Sequence, residues 1–151
     1  MTSPASSSQP SANTAQWHDL HLSAKLPDLR QQSMAAIHLV MSLRFCALAE
    51  AAGREPLAAL SCRLGSVTAA RAVLQLTECV TRAWPDRFAT ARPCCTGMTP
   101  DEWTAAMMTR AARSGDRAGF SAVLDGFVRA DRHDALFDAA VGAVAAIEAV
   151  R

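Results

Sequence analysis

Residues 92–103 read RPCCTGMTPDEW and divide the chain into two helical halves. Thr99 is suited to cap a helix, because its hydroxyl can accept a hydrogen bond from a free backbone N–H of the first turn. Pro100 would then occupy the first helical position, where a missing N–H costs nothing. Glu102 can complete a capping box by accepting from the Thr99 N–H. The sequence therefore predicts a helix that begins at Thr99 or Pro100.

Both sides of this junction carry helical patterns, and no strand pattern is present. Residues 33–52 are apolar nearly all round, which is typical of a central, buried helix. Residues 57–64 form a short helix between a proline and a glycine, and residues 67–84 form a longer one with a single narrow polar stripe. Residues 100–113 continue from the junction as an amphipathic helix.

Two more helices are predicted towards the C-terminus. The first follows a cap at Asp116 and has the clearest amphipathic spacing in the chain, carried by Phe120, Val123, Leu124, Phe127 and Val128. We expect Asp131 to cap the last helix and His133 to be a solvated side chain near its start. The last helix has a stripe formed by Leu136, Ala140, Ala143, Ile147 and Val150. Its small residues, including Gly142, would allow close helix approach.

The first 31 residues are rich in Ser, Pro, Ala and Gln and have few large apolar side chains. Such a segment buries too little surface to offset the entropy of ordering. It contains a weak docking segment formed by Trp17, Leu20, Leu22 and Leu26. A length of 151 residues favours one domain. We therefore expect an all-α protein, in which residues 32–151 form a compact bundle of about five or six helices and residues 1–31 form a disordered N-terminal tail.

The overall composition argues against several classes of protein. The net charge of +1 comes from 15 basic and 14 acidic side chains, whereas a nucleic-acid-binding surface needs a basic excess. No stretch has the roughly 18 uninterrupted apolar residues of a membrane span. Five cysteines without a secretory signal indicate reduced thiols and a cytoplasmic protein. We expect neither a nucleic-acid partner nor a membrane partner.

Cys94 and Cys95 are the sharpest candidates for chemistry. They lie in a loop of about fifteen residues, a length that often has a functional reason. The neighbouring charge of Arg92 would favour a thiolate. Two thiols could bind a soft metal together with Cys62, Cys79 or a histidine, but the chain has no Cys-x-x-Cys pair. A packed pair of small, structural cysteines is the favoured interpretation, with a metal or redox site as the alternative.

The histidines give weaker signals. His18 and His21 are three residues apart and could share a metal on a helix, but two ligands do not close a site, so exposed side chains are favoured. His38, in the central helix, is best interpreted as a hydrogen-bonded core histidine. The sequence has neither a nucleophile elbow nor a Gly-rich phosphate loop. No cofactor is expected.

Five short motifs resemble a family of small bacterial all-helical proteins, a domain of unknown function with a central Pro-Cys-Cys motif. They are Arg54-Glu55-Pro56-Leu57, Trp84-Pro85, Pro93-Cys94-Cys95, Thr99-Pro100-Asp101-Glu102 and Gly115-Asp116-Arg117. The resemblance covers about residues 33–140. It implies a helical fold and no particular activity.

Two functions remain open from the sequence. The first is a non-enzymatic, intracellular protein-interaction module, with a protein partner or a homodimer formed through the Ala/Gly-rich last helix. The alternative is a thiol-based metal-binding or redox-responsive module centred on Cys94 and Cys95. The sequence favours a non-enzymatic protein over an enzyme.

Overall fold

A computed structural model describes residues 27–150, and within them six α-helices make up the fold. In chain order they are α1 (Met34–Ala51), α2 (Leu57–Leu64), α3 (Val67–Ala83), α4 (Pro100–Ser114), α5 (Arg117–Leu124) and α6 (Ala130–Glu148). A short 3-10 turn at Leu29–Gln31 precedes them. Residues 27–150 contain no strand, and their one β-bridge joins Asp28 to Gly97. The predicted all-α bundle is confirmed.

The described chain begins inside the predicted tail. Leu29 is 5% exposed, and its backbone N–H donates to the Thr96 carbonyl at 2.8 Å. This part of the predicted tail is therefore packed on the bundle, and the boundary at residue 31 was placed too late. The remainder of the predicted tail lies outside the described residues, together with His18, His21 and the predicted docking segment of Trp17, Leu20, Leu22 and Leu26.

Local signals set most helix ends as the sequence predicted. Ser33 and Ser66 cap α1 and α3 by accepting from backbone N–H groups of the first turn. Gly53 and Gly65 follow α1 and α2 with φ of 63° and 69°, a left-handed conformation that favours glycine. At α4 the full capping box forms, since Thr99 accepts from the Glu102 N–H and Glu102 accepts from the Thr99 N–H.

Two hydrophobic clusters hold the helices together. The larger one includes residues from all six helices, and in it Phe120 and Phe137 pack edge to face with ring centroids 5.2 Å apart. The smaller cluster lies mainly between α1 and α4 and consists of Leu29, Ala36, Val40, Met98 and Ala106. Burial of these side chains is the main source of stability in a bundle of this kind.

Helix α5 is shorter than the sequence predicted. It ends at Leu124, because Asp125 is extended and Gly126 has φ of 88°. The apolar spacing continues past this break, so it was mistaken for one longer helix. Phe127 lies in the turn after α5, and its ring packs edge to face on Trp84 with ring centroids 5.3 Å apart. Phe127 therefore packs against the larger cluster although it lies outside the helix.

The start of α6 corrects two predictions. Arg129, rather than Asp131, occupies the cap position, and no side chain caps the helix. Asp131 instead lies in the first turn and pairs with Arg129 at 3.0 Å. His133 is 7% exposed and its Nε2 donates to the Val128 carbonyl at 3.0 Å, so the prediction of a solvated histidine was wrong. Its ring joins α6 to the preceding turn.

Most of the small residues in the middle of α6 are buried inside the bundle. Three of them, Ala139, Ala140 and Ala143, are buried in the larger cluster together with side chains of α3. Gly142 and Val150 are exposed, and a Cβ built on Gly142 meets no atom within 4 Å. Gly142 therefore permits no close approach between the helices of residues 27–150. A homodimer through α6 would have to use its outer side.

Candidate functional site

The junction is built around a buried ion pair that joins α1 to α4. The side chains of Arg44 and Glu102 are both 0% exposed. Arg44 Nε donates to Glu102 Oε1 at 2.7 Å, and Nη2 donates to Oε2 at 2.9 Å. Two parallel bonds to one carboxylate are the strongest arrangement that arginine makes, and they fix both side chains.

The remaining donors of Arg44 hold the loop before α4. Nη1 donates to the carbonyls of Arg92 and Cys95 at 3.2 and 2.5 Å, and Nη2 donates to the carbonyl of Gly97 at 2.9 Å. One guanidinium therefore contacts three points of the junction as well as Glu102. Arg44, the only basic residue of the largely apolar α1, is therefore the anchor of this loop.

Glu102 uses its carboxylate in the same way. Oε1 accepts from the Ala91 N–H and Oε2 from the Thr99 N–H, both at 2.9 Å. No buried side-chain nitrogen or oxygen in the described part of the chain lacks a hydrogen-bond partner. A buried ionic network that is satisfied in this way offers no free group to a substrate, so it supports a structural role.

The first turn of α4 secures the other end of the loop. Asp101 accepts from Trp84 Nε1 at 3.1 Å and from the Ala89 N–H at 2.7 Å. Thr99 Oγ1 donates to the Ala89 carbonyl at 2.7 Å. The loop of residues 84–99 is therefore hydrogen-bonded to α1 through Arg44 and to α4 through its first turn. These two attachments explain why the loop is long.

Cys94 and Cys95 lie at the solvent-exposed tip of this anchored loop. Both are exposed free thiols, so the favoured interpretation of a packed structural pair does not hold for them. The Cys95 N–H donates to the Arg92 carbonyl at 2.9 Å, which makes a tight turn at the tip. Their backbone is fixed while both side chains face solvent.

The other cysteines are distributed over the bundle. Cys62 is exposed on α2, Cys79 is half-buried on α3, and Cys46 is buried on α1, where burial raises the pKa of its thiol. Among residues 27–150 no group of three or more His, Cys, Asp and Glu side chains is placed to hold a metal ion. The structure thus does not bring Cys94 and Cys95 together with a third ligand from the described chain.

His38 is half-buried rather than part of the core. Together with Leu64, Ile147 and Val150 it lines a shallow cavity of about 180 Å³ between α1, α2 and the end of α6. The cavity walls are mostly apolar, and the cavity does not adjoin the junction loop. The prediction of a core histidine was therefore wrong about its burial.

A second feature of α1 was not recognised from the sequence as a candidate site. We define the α1–α4 apolar face as the exposed or half-buried apolar side chains Met34, Ile37, Met41 and Leu48 of α1 and Trp103 and Met107 of α4. Met34 and Leu48 are 51% and 48% exposed. The signal in the sequence was an all-round apolar helix, which implies an apolar outer side wherever the bundle does not cover it.

The composition of α1 also satisfies the criteria for a membrane span. It is long and apolar enough to cross a membrane, and 44% of it is buried inside the bundle. The core helix of a soluble protein meets the same criteria. The fully buried Arg44 ion pair ties this helix to α4, which favours its role as a bundle helix.

No family model matches this chain, and no curated protein or solved structure is detectably similar to it. The resemblance to small bacterial helical proteins stays a prediction. The candidate site must therefore be judged on its own geometry.

Proposed function

We propose that this protein is a non-enzymatic, cytoplasmic protein-interaction module that binds a partner through the α1–α4 apolar face. The main support for this proposal is that the solvent side of α1 has no charged side chain from Met34 to Ala49. Arg44 is the one charged residue of this stretch, and it is buried. An apolar outer helix face of this length is typical of a binding surface.

The residue types on the face suit protein recognition. Methionine is flexible and polarisable and adapts to partners of different shape. Aromatic residues and methionine are enriched where protein interfaces are fully buried, and Trp103 provides a large anchor. The side chains of the face carry no charge, although the exposed Arg110 borders it on α4, so the contacting segment should present mainly uncharged apolar side chains. A partner helix with an apolar stripe meets this requirement.

The junction supports this function indirectly. Trp103 lies in the first turn of α4, one residue after Glu102. The buried pair fixes α4 against α1 and so keeps the two sides of the face at a constant distance. Its groups are all used internally, which is why we favour binding over catalysis.

Paired substitutions of equal exposure test this proposal. Met34→Lys and Leu48→Lys place a charge on the face, whereas Val67→Lys changes a residue of α3 that is 52% exposed and outside the face. A photoreactive residue at Leu48 should first capture the partner in the cells that make the protein. The captured protein, purified, should then bind the parent chain and Val67→Lys equally and lose at least about tenfold in affinity for Met34→Lys, a change of about 1.4 kcal/mol.

Three results would separate the alternatives. If Met34→Lys and Val67→Lys bind the partner equally well, the face is not the binding site. A second copy of this chain as the captured species would make the module a homodimer, to be confirmed by sedimentation. Binding to phosphatidylcholine vesicles that is lost in Met34→Lys would show that the face contacts a membrane instead of a protein.

The thiol-based alternative also has one observation in its favour. Cys94 and Cys95 are both exposed at a tip whose backbone is held by Arg44. Exposed adjacent thiols on a fixed turn are accessible to a soft metal or to an oxidant. As residues 27–150 supply no third ligand, a metal would need further ligands from outside that part of the chain.

Elemental analysis of untagged protein tests the metal-binding form of this alternative. Stoichiometric zinc or copper that is lost in the double variant Cys94→Ser/Cys95→Ser would support it. The redox form predicts that mild peroxide treatment oxidises these two thiols before Cys62, which is also exposed. Metal far below stoichiometry together with equal oxidation of all exposed thiols would refute the alternative.

A further inference from the structure

We propose that Cys94 and Cys95 close reversibly into a disulfide with each other when a hydroperoxide oxidises them, and that the buried Arg44 favours their reduced form. The proposal names the product and the regulation of the redox form of the thiol-based alternative, on which it rests. It is independent of partner binding at the α1–α4 apolar face.

The oxidation has two steps, and the two thiols supply every group that it needs besides the hydroperoxide. The thiolate sulfur of one cysteine attacks the terminal oxygen of the hydroperoxide, the O–O bond breaks, and the sulfur becomes a sulfenic acid. The leaving alkoxide takes up the proton that the thiol released. The second sulfur then attacks the sulfenic sulfur, the S–S bond forms, and hydroxide leaves as water with the second thiol proton. Two thiols and one hydroperoxide thus give one disulfide, one alcohol and one water.

Exposure and adjacency together select these two thiols among the five cysteines. Both are exposed, so a small hydroperoxide reaches them, whereas Cys46 is buried and Cys79 is half-buried. Cys62 is exposed, but it has no neighbouring cysteine in the sequence. A sulfenic acid at Cys94 or Cys95 therefore has a resolving thiol one residue away, an arrangement that is typical of redox-sensor cysteines.

Ring closure has to distort the turn at the tip of the loop. Consecutive Cα atoms are about 3.8 Å apart across a trans peptide, whereas the Cα atoms of a disulfide are usually about 4.4–6.8 Å apart. The two sulfur atoms can therefore bond only if the peptide between Cys94 and Cys95 changes its orientation. The N–H of that peptide belongs to Cys95 and donates to the Arg92 carbonyl at 2.9 Å, so closure weakens this hydrogen bond.

Arg44 holds both ends of the same turn. Its Nη1 donates to the Arg92 carbonyl at 3.2 Å and to the Cys95 carbonyl at 2.5 Å. The guanidinium cannot follow a movement of these carbonyls, because it is buried and its Nε and Nη2 are bonded to Glu102. Hydrogen bonds from a charged donor are stronger than neutral ones. Arg44 therefore favours the dithiol over the disulfide.

Coupling of this kind acts in both directions. Since the hydrogen bonds from Arg44 favour the dithiol, oxidation weakens the attachment of the loop to Arg44 by the same free energy. A strained and exposed disulfide is also easily reduced again, which is a property of regulatory rather than structural disulfides. The junction loop is thus a reversible switch, whose attachment to α1 loosens on oxidation.

Mass spectrometry after mild peroxide treatment tests the product. We expect the peptide that carries both cysteines to lose two hydrogen atoms, in a chain that stays monomeric, and a thiol reductant to restore both thiols. In Cys95→Ser, oxidation of Cys94 should stop at the sulfenic acid, which dimedone traps. A disulfide between two chains, a sulfinic acid in the parent chain, or oxidation no faster than that of Cys62 would overturn the proposal.

Redox titration in glutathione buffers tests the role of Arg44. Arg44→Lys keeps the charge but removes the planar fork of donors, so it should favour the disulfide by at least about tenfold, which makes the reduction potential more negative by about 30 mV. Arg82→Lys changes an exposed arginine of α3 and should leave the potential unchanged. Equal potentials in the parent chain and Arg44→Lys would overturn the coupling and leave the thiol-based alternative standing.

A comparison of the reduced and oxidised parent chain tests the coupling without a substitution in the core. Oxidation should lower the urea midpoint of unfolding and speed hydrogen exchange at the N–H groups of Cys95 and Leu29, which are both hydrogen-bonded to carbonyls of the loop. The Phe120 N–H, at the start of α5, should exchange as before. Unchanged exchange at Cys95 in the oxidised chain would overturn the proposal. None of these measurements uses a partner, so their failure leaves the tests of the α1–α4 apolar face intact.

Discussion

Replacing Arg44 by methionine should cost about 3–5 kcal/mol of unfolding free energy, because removing one partner of a buried pair leaves an uncompensated charge on the other. Glu102 would keep only its bonds from the Ala91 and Thr99 N–H groups. Three carbonyls of the junction would also lose their donor. For a domain with a total stability of about 5–15 kcal/mol this is a large fraction.

Urea unfolding followed by circular dichroism measures this loss. Arg82→Met is the matched control, because Arg82 and Glu78 form an ion pair whose side chains are 67% and 60% exposed. An exposed pair of this kind contributes about 0–1 kcal/mol to the free energy of unfolding. The double variant Arg44→Met/Glu102→Leu should lose less than the sum of the two single variants, since neither charge is then left unpaired. Hydrogen exchange should show faster exchange of the Ala91 N–H in Arg44→Met.

A loss below about 1 kcal/mol in Arg44→Met would refute the reasoning, as would equal losses in Arg44→Met and Arg82→Met. Either result would mean that water reaches the pair and that the loop is not anchored by it. Additive effects of the Arg44 and Glu102 substitutions would contradict the direct pairing.

Three further predictions concern the bundle itself. Phe120→Ala should lower the free energy of unfolding by about 3–5 kcal/mol in the same urea assay, because Phe120 is 0% exposed. Phe127 lies in a turn and is half-buried, so Phe127→Ala should lower it by only about 1–2 kcal/mol. Gly142→Ala should raise the free energy of unfolding by about 0.5–1 kcal/mol, since a methyl group at this position in α6 meets no other atom. Gly119→Ala should give no such gain, because its Cβ would lie 2.1 Å from the carboxylate of Asp116, which caps α5. Cys46 should react with iodoacetamide only on unfolding, since burial raises the pKa of its thiol, and mass spectrometry would show early labelling if this is wrong.

Helix ends were predictable wherever a local signal determined them. The capping box at Thr99 and Glu102 depends on residues three apart, so the sequence suffices to find it. The end of α5 was missed because the spacing up to Val128 stays apolar through Asp125 and Gly126. There a glycine in a left-handed conformation outweighed the periodicity.

The site was less predictable because it depends on contacts distant in sequence. Arg44 and Glu102 are 58 residues apart, and nothing near Arg44 indicates that it is buried with a carboxylate. The sequence drew attention to Cys94 and Cys95, whereas the bonds that explain this loop belong to its carbonyls. Burial of His133 likewise depends on the turn before α6, which only the folded chain defines.

Isothermal titration calorimetry with the captured partner tests the central claim most directly. Burial of the α1–α4 apolar face predicts a negative heat-capacity change on binding. It also predicts that Met34→Lys weakens binding at least about tenfold while Val67→Lys and Cys94→Ser/Cys95→Ser do not. Binding that survives Met34→Lys and is abolished by the cysteine double variant would contradict the claim and place the function at the thiols.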